Sequence, residues 1–152
     1  MKKSAGILLY RLGNTGIEIF LVHPGGPFFK NKDLGSWTIP KGEFEDDEEP
    51  LKAALREFNE ETGHLPEGNF IELKPVKQKS GKIVYAWAIE GNIDEKDLKC
   101  NVFSLEWPPR SGKFNEFPEV DEGKWFNADT ALKKIIPAQA SFINELVAKS
   151  ET

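Results

Sequence analysis

Between Asp46 and Gly63 the chain carries helix signals at both ends. Asp46 and Asp47 are candidate N-caps, Pro50 suits a first helical turn, and Gly63 sits where a left-handed stop is needed. The spacing predicts a helix with two dissimilar faces. Leu51, Ala54, Leu55 and Phe58 recur as one apolar stripe, while Glu57, Glu60 and Glu61 fall at i, i+3 and i+4 on another. The first face packs against a core, and the second presents acids.

Those acids stand at the wrong end of the helix. Carboxylates in the last turns oppose the macrodipole by roughly 0.3 to 1 kcal/mol each, and like charges at helical spacing add a few tenths. A hard divalent cation reverses both effects, because such ions take several oxygen ligands at once. The alternative is an acidic face turned to solvent, the ordinary fate of such a cluster.

The wider pattern carries more information than the cluster. Gly42, Glu48 and the run Arg56-Glu57-Phe58-Asn59-Glu60-Glu61-Thr62-Gly63 stand at spacings that resemble the signature box of the Nudix hydrolase family. Its polar and glycine positions are all met. His64 departs from the pattern at the last position, where an aliphatic residue is usual, and this touches packing more than chemistry. The resemblance implies an α+β fold, a Nudix-type α/β/α sandwich with a mixed sheet between helices. It also implies a phosphoanhydride hydrolase that uses magnesium, with manganese as the alternative ion.

By that resemblance Glu57, Glu60 and Glu61 are metal ligands, joined by the Lys41 backbone carbonyl and by an acid from the loop before a late strand. Glu119 is the choice for that acid, over Glu116 and Glu122. Any of these carboxylates is a candidate for the base that takes the proton of an attacking water. Arg56 and Glu48 are expected to pair and orient the box, since an arginine fork fits a carboxylate at two points. Gly42 allows a close backbone approach, and Gly63 ends the helix.

Composition fits one enzyme domain over residues 1–152, with 39% hydrophobic and 30% charged residues and no apolar run long enough to span a bilayer. Lys2 and Lys3 precede only the short apolar stretch Ile7 to Tyr10, which reads as a strand and not as a signal peptide, so a cytoplasmic location is expected. Cys100 is the lone cysteine, which excludes an internal disulfide. A net charge of -5 disfavours long nucleic acid and anionic membranes as partners. A phosphate-bearing small molecule must therefore be met by local cations. Lys30, Lys32, Lys41, Arg110 and Lys113 lie near predicted loops and are the available set.

Ala5 to Tyr10 and Ile17 to Val22 are expected to pair as strands across a turn at Gly13-Asn14-Thr15-Gly16. His23 reads as a strand-end residue, and Phe28 to Asp33 as a loop able to cover a site. Trp37 to Lys41 and Glu67 to Lys77 are expected to be extended. Along Lys82 to Ile89 bulky side chains alternate with small ones, so Tyr85 and Trp87 either stack on a nucleobase or fill a core. The stretch Trp107 to Phe114 mixes aromatic and basic residues in a loop, and Lys124 to Phe126 reads as a strand. Two helices, Asn127 to Lys134 and Pro137 to Ala148, close the chain. The substrate-binding set is thus Lys41, Trp37, Tyr85 and Arg110.

The lead-in Trp37-Thr38-Ile39-Pro40-Lys41-Gly42 is similar to that of family members acting on dinucleoside polyphosphates. Those and nucleoside triphosphates lead the substrate classes, ahead of nucleotide sugars and capped RNA ends. A nucleotide sensor without catalysis is the alternative from another class, and the intact set of acids speaks against it. Oligomeric state is not written in the residues.

Overall fold

The computed structural model describes residues 2–14 and 16–150. Its elements run β1 (Lys3–Gly13), β2 (Gly16–Pro24), β3 (Lys41–Glu43), α1 (Pro50–Thr62), β4 (Ile71–Glu72), β5 (Val76–Lys77), β6 (Ile83–Glu90), β7 (Val102–Glu106), β8 (Phe114–Pro118), β9 (Val120–Asn127), α2 (Ala128–Lys134) and α3 (Ala140–Ser150). A mixed sheet orders its strands β4-β6-β1-β2-β9, with β3 added to β1 and β5 to β6. β1 and β6 run parallel from Lys3 and Ile83 to Tyr10 and Glu90, and the other pairs are antiparallel.

Period-two alternation along the central strands divides the core into two. Leu8, Ile19, Leu21, Val84, Ala86 and Ala88 face α2 and α3, meeting Ala131, Phe142, Ile143 and Leu146. Ala5, Ile7, Leu9, Phe20, Val22 and Ile89 face α1, meeting Ala53, Ala54 and Phe58. Each large apolar side chain enclosed this way contributes about 1.5 to 3 kcal/mol relative to exposure. The expected α+β arrangement, with helices on both sheet faces, is therefore present.

Several local expectations change. α1 begins at Pro50 with Glu49 as its N-cap residue, and no side chain caps it. Asp46 instead pairs with Lys3 at 2.5 Å, so neither Asp46 nor Asp47 performs the capping expected of it. Trp37 and Thr38 make isolated bridges, to Ile135 and Val22, and regular pairing begins only at Lys41. Pro40 interrupts the run, and its carbonyl accepts from the Ile7 amide at 3.1 Å. Glu67 to Lys77 contributes only the two short strands β4 and β5. The final helix is split: Pro137–Gln139 form a 3-10 turn and α3 follows.

Other expectations hold. Asn127 caps α2, its side chain accepting from the Thr130 amide. β1 and β2 pair through Gly13 and Gly16, although Thr15 of the predicted turn lies outside the described residues. The loop expected from Trp107 to Phe114 is the tip of a β7–β8 hairpin standing apart from the main sheet, and the pattern along the chain had not suggested its two strands. Among the described residues, no helix is long and apolar enough to cross a membrane.

Candidate active site

α1 lies across the sheet with Glu57 on its inward side, and β3 brings Gly42 directly beneath that carboxylate. A methyl group on Gly42 would sit 2.0 Å from the Glu57 carboxyl carbon, so any larger residue there would push that carboxylate out of its present place. Gly63 is required by conformation. It adopts φ 79° and its amide donates to the Asn59 carbonyl, ending α1 in the left-handed form.

Arg56 organises the helix end. Its Nε and one terminal nitrogen donate to both oxygens of Glu48 at 2.8 and 2.9 Å, the two-point pairing expected. The other terminal nitrogen donates to Glu57 at 2.8 Å and lies 3.3 to 3.4 Å from both Glu60 oxygens. The hydrogen bond from Arg56 holds Glu48 below the usual carboxylate range.

A cleft of about 510 Å³ opens beside this cluster, lined by Glu57, Glu61, Glu119, Lys41, Gly42, Glu43, Pro24, Gly25, Phe29 and Phe103. Glu119 reaches it from the bend between β8 and β9, a position fixed by backbone bonds from the Glu119 amide to Asn101 and from the Gly25 amide to Glu119. Burial pushes the Glu61 carboxyl up to about 8, with Glu57 and Glu119 adding to the effect and Lys41 opposing it. Glu57 is also raised by burial, against the hydrogen bond from Arg56. Burial and then Glu60 raise Glu119. Burial lowers Lys41, Lys82 lowers it further, and the neighbouring glutamates oppose both. The cleft is thus a place where negative charge is crowded and poorly neutralised.

The predicted residues are distributed unevenly. Lys41, Glu57, Glu61 and Glu119 share the cleft, whereas Glu60 stands beside Arg56. Glu48 and Arg56 form the supporting pair. Tyr85 packs against Phe44 on the α1 side of the sheet, with ring centroids 6.1 Å apart. Trp37 is 4% exposed and belongs to the other core. Arg110 is exposed at the β7–β8 tip, where its amide donates to Glu106. Phe29 and Phe103 line the cleft without having been singled out. For Phe29 the signal was its place in the loop after Pro27; Phe103 lay in the unrecognised hairpin.

Among the described residues, no three histidine, cysteine, aspartate or glutamate side chains are grouped closely enough to enclose an ion. Glu57 and Glu60 turn toward Arg56 instead. In kind, however, the donors fit a hard divalent cation: they are all oxygen, and three of the carboxyls are held above their ordinary range by crowding and burial that a cation would relieve. Arg56 engages one oxygen of Glu57 and leaves the other as a donor toward the cleft.

Comparison with known proteins adds the family. A family model described as NUDIX domain matches residues 2–146. The chain is 32% identical over 100 residues to a bis(5'-nucleosyl)-tetraphosphatase (asymmetrical) of Rattus norvegicus, a match covering 58% of this chain and 64% of the relative. It is 42% identical over 55 residues to an RNA pyrophosphohydrolase of Xylella fastidiosa, covering 36% of this chain and 28% of that relative. The matched stretches therefore span less than two thirds of either relative. A C. elegans Ap4A hydrolase, solved as a binary complex, shares the fold with a TM-score of 0.70 at 22% identity over 97% of this chain and 98% of its own.

Proposed function

The chain belongs to the NUDIX domain family, and on that premise we propose that it hydrolyses a phosphoanhydride bond in a nucleotide, with dinucleoside polyphosphates and nucleoside triphosphates as the leading substrates. The observation that carries this reading is the meeting of Lys41, Glu57, Glu61 and Glu119 in one cleft. The similarity to a tetraphosphatase favours the dinucleoside class.

In the proposed reaction water attacks a phosphorus atom, the bridging oxygen bond breaks, and the proton of the water passes to a carboxylate. Glu57, Glu61 and Glu119 are the candidates for that acceptor, because groups held above the ordinary carboxylate range make stronger bases. Lys41 offers positive charge to the phosphoryl oxygens. Arg56 and Glu48 hold Glu57 and Glu60 in register. Magnesium or manganese, when held by Glu57, Glu60, Glu61 and Glu119 with the Lys41 carbonyl, would supply charge neutralisation at the phosphate.

Phosphate release from a panel of dinucleoside polyphosphates, nucleoside triphosphates, nucleotide sugars and capped RNA, with and without magnesium, tests the proposal. Turnover is expected with magnesium only, and it is expected to vanish in Glu60→Gln and Glu61→Gln while both variants stay folded. Near-wild-type rates in either variant would overturn the assignment. Tight nucleotide binding without turnover would identify a sensor.

A further inference from the structure

The wall of the carboxylate cleft has a second side. Pro24, Gly25, Phe29 and Glu119 face the cleft, whereas His23, Lys30, Lys32 and Asp121, their neighbours in the chain, line a separate cavity of about 650 Å³. The reaction proposed above gives this cavity no role, although Lys30, Lys32 and Trp37 in its lining belong to the residues the sequence offers to a phosphate-bearing substrate.

The cavity is built and not merely left over. His23 is nearly buried, and both its ring nitrogens are engaged: Nδ1 lies 2.8 Å from the Asp121 carboxylate, and Nε2 donates to the Lys32 carbonyl at 2.6 Å. That pair of contacts ties the Phe28–Asp33 loop to β9. Trp37 braces the ring edge-on, with centroids 5.1 Å apart, and meets Phe126 at the same separation. The Trp37 indole donates to Asp33, which also takes Lys134 at 2.5 Å.

Charge in the lining does not balance. The lining sets four lysines against three acids: the His23 ring bonds Asp121, Asp33 pairs with Lys134, and Glu122 pairs with Lys124 at 3.6 Å. Lys30 and Lys32 have no acidic partner within ion-pair distance among the described residues, and the Lys32 ammonium stands 5.6 Å above the Phe29 ring. The surplus is cationic in a chain whose net charge is -5. A lysine is a point charge suited to phosphate oxygens, and here two stand on one pinned loop beside a polar cavity.

We propose that this cavity is a di- or triphosphate-binding site, separate from the carboxylate cleft and joined to it by the Phe28–Asp33 loop. Its occupant is either the far end of an extended polyphosphate substrate, which rests on the hydrolase reading above, or a second phosphate-bearing molecule, which does not.

The test uses inorganic tripolyphosphate titrated into the metal-free full chain, followed by nitrogen-15 NMR. Saturable shifts are expected at the Trp37 indole and at the Lys32 and Asp121 amides. Affinity is expected to fall about tenfold or more in the Lys30→Gln/Lys32→Gln double variant and to survive in Lys30→Arg/Lys32→Arg. Absent shifts, shifts confined to Lys41, Gly42 and Glu119, or an unaltered affinity in the glutamine variant would overturn the site. Steady-state kinetics then separate the two sources. A KM raised about tenfold for a dinucleoside tetraphosphate but not for a nucleoside triphosphate marks the substrate's far end. Unaltered KM values alongside lost tripolyphosphate binding mark a second ligand. Because the NMR arm needs no turnover, failure of the hydrolase reading leaves it intact.

Discussion

Glu61 gives the account its most exposed quantity. Its carboxyl is raised from 4.5 to about 8, mainly by burial, so the folded protein holds a proton that the unfolded chain has released between those values. Stability contributed by that proton is complete below about pH 4.5 and is lost as pH rises through about 8, because over this window the native state binds more protons than the unfolded one. The full span corresponds to about 5 kcal/mol, and water entering the open cleft reduces it to roughly 2 to 3 kcal/mol. Glu61→Gln keeps the shape and removes the titration. Urea unfolding in the presence of a chelator is the assay. Wild type and variant are expected to agree near about pH 5 and to differ by roughly 2 to 3 kcal/mol near about pH 9, the variant being the more stable. Added magnesium is expected to restore the wild type at the higher pH, since an ion that binds only the native state stabilises it by mass action. Parallel pH profiles for the two proteins would refute the reasoning, and so would a magnesium effect of equal size in the variant.

Three further substitutions test separate parts of the structure. Gly42→Ala places a methyl group onto the Glu57 carboxylate, and turnover is expected to fall roughly 100-fold or more with little loss of helical circular dichroism. Arg56→Lys cannot reproduce the two-point pairing with Glu48 while also bonding Glu57; kcat is expected to drop roughly tenfold or more in steady-state assays. Asn127→Ala removes the α2 cap, which is expected to cost about 1 kcal/mol in urea unfolding and leave turnover unaltered.

What the residues disclose in advance follows their physics. α1 is legible because an apolar stripe, Pro50 and Gly63 state its extent together, and the central strands are legible because their two faces meet two separate cores. The β7–β8 hairpin is not legible. Within its two strands only Phe103, Leu105, Glu106 and Phe117 are even half-buried, so it shows no clean alternation. Asp46 looked like a cap because helix starts favour aspartate, but Lys3, distant in sequence, claims it. Tyr85 and Trp37 could be named as aromatic candidates, yet which sheet face or loop they pack on depends on pairings with Phe44, His23 and Phe126 that spacing alone cannot reveal. Glu119 needed the family resemblance, because an acid on a bend has no periodicity to betray it.

The central claim is that one cleft gathers the acids of α1 and the β8–β9 bend for a divalent cation beside a phosphate. Manganese-induced relaxation of backbone amide signals measures this directly, since a bound paramagnetic ion broadens the nuclei around it. Broadening is expected to centre on Gly42, Glu61 and Glu119 at substoichiometric manganese and to be reversed by added magnesium. Broadening centred on the exposed acids Asp46, Asp47 and Glu49, or spread evenly over the surface, would contradict it.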